Sequence, residues 1–403
     1  MTASDRLSAD WLTRAESRIV MAALEAARPG GSRFVGGCVR NTLRGVAADD
    51  IDIATQLVPE ASFAALKAAG IRAEPTGIEH GTITAIVDGV PFEITSLRRD
   101  VETDGRRAVV AFTEDWAEDA QRRDFRLNAI YAGPDGELFE VVPGSVQDAL
   151  DGRVVFIGDG DQRLIEDYLR ILRFFRFNAW YGAGIDEEGL AACGRQKEGL
   201  RKIASERIWK ELKRLLEAPA PSEAMLAMEE SGVLDVVLPG ATAAELPSLV
   251  TMEQAAGLAP DPLQRVMALL PRRTREVAET SKRLRLSNAE SSRLAAWADP
   301  AIGHVLEASP GSWPELFYRH GAEAIRDRAL IEAAQHSDSA DLKALIAVAG
   351  SWQRPQFPLG GDDALAAGLS GLAIGETLRR LEEDWIASGF SLSREALVSR
   401  LNS

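Results

Sequence analysis

The chain has 403 residues, 46% hydrophobic and 27% charged, the balance of a globular protein long enough for several domains. Its formal charge of −15 argues against indiscriminate binding to nucleic acid, and its two cysteines, Cys38 and Cys193, exclude a disulfide framework or zinc cluster and read as reduced thiols. No apolar run approaches the roughly 20 residues of a membrane span, and Met1-Thr2-Ala3-Ser4-Asp5 lacks the basic-then-apolar order of a secretory leader, so a cytoplasmic protein is expected.

The first informative stretch is Phe34-Val35-Gly36-Gly37-Cys38-Val39-Arg40, where a short apolar run enters a double glycine. Glycines there let the backbone approach phosphate oxygens, with amide donors at the helix start that follows. Next comes Asp50-Ile51-Asp52-Ile53. In a strand, Asp50 and Asp52 share one face while Ile51 and Ile53 point into the core. Two adjacent carboxylates repel, and a divalent metal between them is the simplest way to keep both ionised. In Val90-Pro91-Phe92-Glu93-Ile94-Thr95-Ser96-Leu97, Phe92 and Ile94 face one side and Glu93 and Thr95 the other, which supplies a third acid. A solvated strand face explains a lone D-x-D equally well. It does not explain three acids with a Gly-Gly-x-x-Arg turn upstream, a set that points to nucleotidyl transfer.

Segment 98–110 is charged and punctuated by Gly105, and reads as a mobile loop between catalytic strands. Beyond Asp151-Gly152 the signal is helical, broken at Pro219-Ala220-Pro221, Pro260-Asp261-Pro262 and Gln356-Phe357-Pro358-Leu359-Gly360-Gly361. Ser287 and Glu290 have the spacing of a capping box.

The periodicity of Arg163 through Phe177 predicts one helix, apolar on most of its circumference, with charges at 163, 166, 167, 170, 173 and 176 on a narrow stripe. Such a stripe lines a cleft rather than bulk water. A Glu166–Arg170 salt ladder accounts for part of it. On the helix itself, however, Arg170, Arg173 and Arg176 outnumber their acids, as a polyanionic ligand would require. An aspartate and an arginine so placed can also read a base. Asp167 accepting from an exocyclic amine while Arg170 donates to the ring acceptor admits C and A and rejects U and G, with about 1–3 kcal/mol of discrimination per base edge.

Two basic clusters follow, one at Arg195–Arg214 containing Lys210, Lys213 and Arg214, the other at Arg272–Arg285 containing Arg272, Arg273, Lys282 and Arg283. Each is equally compatible with RNA contact and with a solvated helix face.

These motifs, in this order, resemble the class II tRNA nucleotidyltransferase (CCA-adding enzyme) and bacterial poly(A) polymerase family. The resemblance rests on Gly36-Gly37-Cys38-Val39-Arg40, Asp50-Ile51-Asp52, Phe92-Glu93-Ile94-Thr95-Ser96-Leu97-Arg98, Arg122-Arg123-Asp124-Phe125-Arg126-Leu127-Asn128-Ala129, Glu166-Asp167-Tyr168-Leu169-Arg170 and Glu206-Arg207-Ile208-Trp209-Lys210-Glu211. It implies an α+β fold: a nucleotidyltransferase (polymerase beta-like) head with a mixed or antiparallel sheet over 1–150, then an all-α neck (151–220), body (221–305) and tail (306–403). It implies Mg²⁺ on Asp50 and Asp52 with Glu93 as the third acid, and nucleotide contacts from Gly36, Gly37 and Arg40. Arg123, Asp124 and Asn128 match the motif that links ribose recognition to the sheet. Asp167 and Arg170 match the base-reading pair, and Arg173 and Arg176 match arginines on the triphosphate side. The expected partners are the 3′ end of tRNA, CTP and ATP, with no membrane and no protein partner implied. Poly(A) addition and partial CC- or A-addition are the alternatives. A non-catalytic RNA-binding relative is disfavoured because all three acids are present. The chain departs from the family pattern at Asn41, where aspartate is usual, and at Arg126, where threonine is usual.

Overall fold

The computed structural model describes residues 6–48, 50–103, 108–336 and 341–401, so the leader reading at Met1–Asp5 lies outside the described residues. Among these, no helix is long and apolar enough to cross a membrane. They form two compact units, Met1–Pro239 and Gly240–Ser403, a division that falls at none of the boundaries expected at 150, 220 and 305.

The first unit is built on strands β1 (Ser32–Val35), β2 (Ile51–Thr55), β3 (Arg72–Gly77), β4 (Thr82–Val87), β5 (Val90–Ser96), β6 (Arg98–Thr103), β7 (Ala108–Phe112), β8 (Ile130–Ala132) and β9 (Leu138–Glu140). Seven of them make a mixed sheet in the order β3-β4-β5-β2-β1-β8-β9. The β2–β5 pair is parallel, and the other pairs in this sheet are antiparallel. Alternation sets the faces as expected: Ile51, Ile53, Phe92 and Ile94 are at most 3% exposed, while Asp52 and Glu93 come opposite each other in register. Helices Ala15–Ala27 and Pro59–Ala68 pack against the sheet.

Segment 98–110 differs from expectation. Its described part is a separate antiparallel hairpin, β6 paired with β7, and 104–107 lie outside the described residues. The β-branched content of Val101, Thr103, Val109 and Val110 outweighs the charge and glycine that suggested a loop.

Five helices matter for the site: α1 (Gly37–Leu43), α2 (Trp116–Gln121), α3 (Gly160–Glu166), α4 (Leu169–Tyr181) and α5 (Ser205–Leu216). The single helix expected over 163–177 is two. Asp167 leaves helical geometry at φ −150°, ψ 103°, and its Oδ1 accepts from the Leu169 amide at 3.0 Å. That side chain supplies the acceptor that the backbone of a continuous helix would have supplied, so the chain restarts at Leu169. Between sheet and helices sits an aromatic cluster, Phe125, Phe156, Phe174 and Phe177, with Phe125 ring centroids 5.0, 6.3 and 5.2 Å from the other three.

The regular elements of the second unit's described residues are all helices, and the sequence breaks appear as expected, with helices resuming at Pro262 and Gly361. The capping box is present: Glu290 N donates to Ser287 Oγ at 3.3 Å and Ser287 N to Glu290 Oε2 at 2.9 Å. Its interior holds a buried Arg265–Glu253 ion pair at 2.6 Å. A separate cluster gathers Tyr318, Leu381, Trp385 and Ile386 with Trp352, Phe357 and Phe390.

Phe174 is fully buried at the junction of sheet and helices. Phe174→Ala should therefore destabilise the first unit by about 3–5 kcal/mol in urea unfolding, the usual cost of an aromatic cavity. A loss under about 1 kcal/mol would mean that the cluster does not hold these elements together.

Candidate active site

One cleft of 440 Å³ opens between the sheet and α4. Its wall includes Gly36, Gly37 and Arg40 from the β1–α1 turn, Asp52 from β2, Arg122 to Asp124 and Asn128 from the turn after α2, and Asp167, Arg170, Arg173 and Arg207 from the helical side. Six arginines face three aspartates there, a surplus of three positive charges in a chain that is strongly acidic overall.

Gly36 adopts φ 73°, ψ −120°, a backbone that side-chain-bearing residues avoid, and a Cβ there would come to 3.7 Å from Arg123 Nη1. The bend turns the chain out of β1 and into α1, which delivers Arg40 to the cleft. Arg40 is only 6% exposed. Its Nη1 donates to Asn128 Oδ1, its Nη2 to Tyr181 Oη at 3.0 Å, and its Nε and Nη2 to Asn41 Oδ1 at 3.1 and 2.8 Å. Burial lowers its pKa from the usual arginine value, yet among the described residues no carboxylate forms an ion pair with it.

Asp124 is the hub of the opposite wall. Its Oδ2 accepts from Arg173 Nε at 2.8 Å, and its Oδ1 accepts from Asn128 Nδ2 at 3.0 Å and from the Phe125 amide at 2.9 Å. Burial alone would raise its pKa, but Arg173 and these donors outweigh burial and hold the carboxyl well below the usual range. Arg123 is held from behind by Asp119, which is fully buried. Arg123 Nη2 lies 3.0 Å from Asp119 Oδ2, Tyr131 Oη donates to the same oxygen at 2.9 Å, and Arg122 pairs with Oδ1 at 2.7 Å.

The acids of the expected metal site stand at the sheet end of this cleft. Asp52 lines it, Glu93 is its register partner on β5 and is exposed, and Asp50 is exposed in the bend before β2. Burial, with the carboxylates of Glu93 and Asp50 nearby, pushes Asp52 up to about 6, while Arg123 and Arg40 oppose it. A carboxylate raised in this way by acidic neighbours belongs to a donor set suited to a hard divalent cation. Among the described residues no three acidic, His or Cys side chains form a ready cage.

At the helical end, Asp167 Oδ2 lies 3.3 Å from Arg207 Nη2, and its side chain is 27% exposed. Arg170 Nη1 donates to Glu166 Oε2 at 2.6 Å and to the Arg163 carbonyl at 2.7 Å, while Nη2 reaches the Arg122 carbonyl at 3.2 Å. The salt ladder therefore exists. The apparent excess of arginines on the stripe also has a local answer, because acids from other segments meet them. Asp124 pairs with Arg173 and Glu211 with Arg176. The Arg176–Glu211 pair, at 2.7 Å and largely buried, joins α4 to α5 and does not line the cleft, contrary to the triphosphate role expected for Arg176.

Arg126, the departure from threonine, turns away from the cleft onto Asp148 at 2.6 Å. Lys210 and Arg214 are exposed on α5 and Lys213 is half-buried beside them. In the second unit Arg273, Lys282 and Arg283 are exposed, but Arg272 donates to the Trp297, Asp299 and Ile302 carbonyls at 3.1, 2.5 and 2.5 Å, so its donors are engaged inside the fold. Sequence reading missed Asp119, Arg122, Tyr131, Tyr181 and Arg207. For Asp119 the signal was present, since it lies three and four residues before Arg122 and Arg123, the spacing of neighbours on one helix face.

Residues 32–155 match the family model described as the poly A polymerase head domain, and residues 184–245 match one described as a probable RNA and SrmB-binding site of polymerase A. Among solved structures, the Bacillus stearothermophilus CCA-adding enzyme in complex with CTP shares the fold at a TM-score of 0.76, with 21% identity over 96% of this chain and 97% of that one. The Thermotoga maritima CCA-adding enzyme complexed with tRNA_CCA does so at a TM-score of 0.69 and 18% identity, covering 96% and 94%. The fold is thus that of a nucleotidyltransferase head followed by helices. The mouse CCA tRNA nucleotidyltransferase 1, mitochondrial, is 34% identical over 385 residues, covering 91% of this chain and 85% of its own length. The CCA-adding enzyme of Leuconostoc citreum is 38% identical over 209 residues, 51% of this chain. The chain belongs to the CCA tRNA nucleotidyltransferase family.

Asp124→Asn removes the carboxylate that neutralises Arg173, and should cost about 2 kcal/mol at pH 7, less than a fully buried pair because Arg173 is partly exposed. A carboxyl with a depressed pKa stabilises the fold above its unfolded value near 3.9 and loses that contribution as pH falls through the folded value. The gap between variant and wild type in urea unfolding should therefore narrow below about pH 4. A gap that stays constant from pH 7 to pH 3 would contradict the charge pairing.

Proposed function

We infer that this protein adds CCA to the 3′ ends of tRNA without a nucleic-acid template, using CTP and ATP and releasing diphosphate. The observation that carries the reading is one cleft lined by the carboxylate Asp52, by several arginines, and by Asp167 and Arg170, an acceptor and a donor on its helical side. Family membership agrees with it.

In this reading residues 1–150 are the catalytic head, 151–220 a neck that reads the base, and 221–305 and 306–403 the body and tail that hold tRNA. Asp50 and Asp52, with Glu93 beside them, would hold Mg²⁺, which lowers the pKa of the attacking 3′-hydroxyl and neutralises phosphate charge. Gly36 and Gly37 bring the backbone close to the triphosphate, and Arg40, Arg123 and Arg173 face it. Asp124 and Asn128 keep the ribose end of the cleft in register with the sheet. Asp167 retains lone pairs to accept an exocyclic amine while Arg207 stays bound, since a carboxylate accepts about four hydrogen bonds. Arg170 has three donors engaged by protein acceptors, which leaves part of its five-donor fork for a ring nitrogen. Lys210, Lys213, Arg214, Arg273, Lys282 and Arg283 are the cations proposed to meet tRNA phosphates. Unpaired, buried Cys38 and Cys193 are consistent with a reducing compartment such as the cytoplasm.

Incubation with tRNAs lacking CCA, CA or A, and with an unrelated RNA, tests the reading. CTP alone should extend the first by two residues, and ATP should then add one. Long adenosine tails on the unrelated RNA would point to a poly(A) polymerase instead, and failure at either the C or the A step would indicate a partial enzyme.

Asp52→Asn should fold normally and lose about a thousandfold or more in incorporation rate, because the charge that holds the metal is gone. Near wild-type extension by the folded variant would remove the metal assignment. Asp167→Ala should lower the preference for CTP over UTP by about 1–3 kcal/mol, chiefly through slower use of CTP. If single-nucleotide assays show unchanged base choice, Asp167 serves only to restart α4.

A further inference from the structure

Asn41 follows Arg40 in α1 and does not line the cleft. It nevertheless holds a residue that does. Its Oδ1 receives two hydrogen bonds from the Arg40 guanidinium, at 3.1 and 2.8 Å, and its Nδ2 donates to the Ala47 carbonyl at 3.1 Å. A guanidinium can only donate and a carbonyl can only accept, so the two neighbours together fix which end of the amide faces which. The backbone carbonyl of Asn41 is engaged as well, accepting from Arg44 N at 3.1 Å and Val46 N at 2.8 Å. Asn41 is therefore rigidly placed.

The other acceptors on Arg40, Asn128 Oδ1 and Tyr181 Oη, are also neutral. The other arginines of the cleft have carboxylate partners: Asp124 for Arg173, Glu166 for Arg170, Asp119 for Arg122 and Arg123, and Asp167 for Arg207. Arg40 is thus a buried cation whose hydrogen bonds go to neutral acceptors and which, among the described residues, has no ion-pair partner; Asp124 and Asp52 act on it only at longer range. Burying an unbalanced charge is costly, and a structure that does so makes the site a strong receptor for an anion that enters. An aspartate at 41 would keep the two acceptor positions and cancel that charge. It would also set a second oxygen against the Ala47 carbonyl.

We propose that Asn41 is a positioning residue that holds Arg40 without neutralising it, so that the phosphates of the incoming nucleotide become the counter-ion of Arg40. This rests on the reading of the cleft as a nucleoside triphosphate site. The contribution of Arg40 should scale with ligand phosphate charge and be absent for a nucleoside.

The test measures dissociation constants of CTP, CMP and cytidine for the wild type, Asn41→Asp and Asn41→Ala, at low and high salt. Asn41→Asp should weaken CTP about tenfold, the scale of one charge interaction removed at the edge of a protein interior. Cytidine should bind as before, and the salt dependence of CTP binding should flatten. Asn41→Ala loses the hydrogen bonds to Arg40 and to the Ala47 carbonyl but adds no charge, so it should weaken CTP less than Asn41→Asp does. Unchanged CTP affinity in Asn41→Asp, or equal losses in the two variants, would overturn the proposal. Equal loss for CTP and cytidine would also overturn it, because that is the signature of a distorted site. A wild type that does not prefer CTP to cytidine would instead refute the triphosphate reading on which the proposal stands.

Discussion

The cleft depends on one carboxylate. Asp124 sits in the turn after α2, and its two oxygens reach in different directions: Oδ2 to Arg173 on α4, Oδ1 to Asn128 and its own turn. Asn128 in turn holds Arg40 on α1. The chain Arg173–Asp124–Asn128–Arg40 therefore spans the cleft from the helical wall to the glycine turn, and the Phe125–Phe174 contact beneath it supplies the packing. Because each link is a hydrogen bond between groups that are mostly buried, leaving any one unmatched costs more than the bond itself contributes. The result is a set of guanidinium groups held in fixed places before any ligand arrives, which is the condition for electrostatic preorganisation.

Charge, more than shape, distinguishes this cleft from the remainder of the protein. The chain as a whole is strongly acidic, yet arginines outnumber aspartates two to one along the cleft wall. Their partners lie mostly behind them: Asp119 under Arg122 and Arg123, Glu166 beside Arg170. Acids placed there orient the guanidinium groups without closing the site to an anion. Arg40 has no such ion-pair partner among the described residues, and its hydrogen-bond acceptors are neutral.

Much of this was legible in the sequence because the decisive signals were local. The alternation of Ile51, Asp52 and Ile53, and of Phe92, Glu93 and Ile94, follows from the pleat of a strand, and the register that sets Asp52 beside Glu93 agrees with it. The capping box at Ser287 is equally local. What was not legible depended on partners far away in sequence. Arg173 and Arg176 looked like surplus cations because Asp124 and Glu211 lie many residues away, and Arg272 looked available because the carbonyls it caps are 25 to 30 positions distant. The break at Asp167 was hidden for another reason: helical periodicity continues across it, and only the side-chain hydrogen bond to Leu169 reveals that two helices meet there. The β6–β7 pairing is hidden because charge and glycine in this segment mask the β-branched residues of its two strands.

The most direct measurement of the central claim is a double-mutant cycle on CTP affinity with Asp124→Asn and Arg173→Gln, in the folded proteins at pH 7. If the ion pair is the unit that shapes the cleft, the two single losses overlap, and the double variant should bind CTP more tightly than the sum of the single effects requires, with a coupling of about 1 kcal/mol or more. Strictly additive losses would contradict the account, because they would mean that Asp124 and Arg173 act on the nucleotide independently.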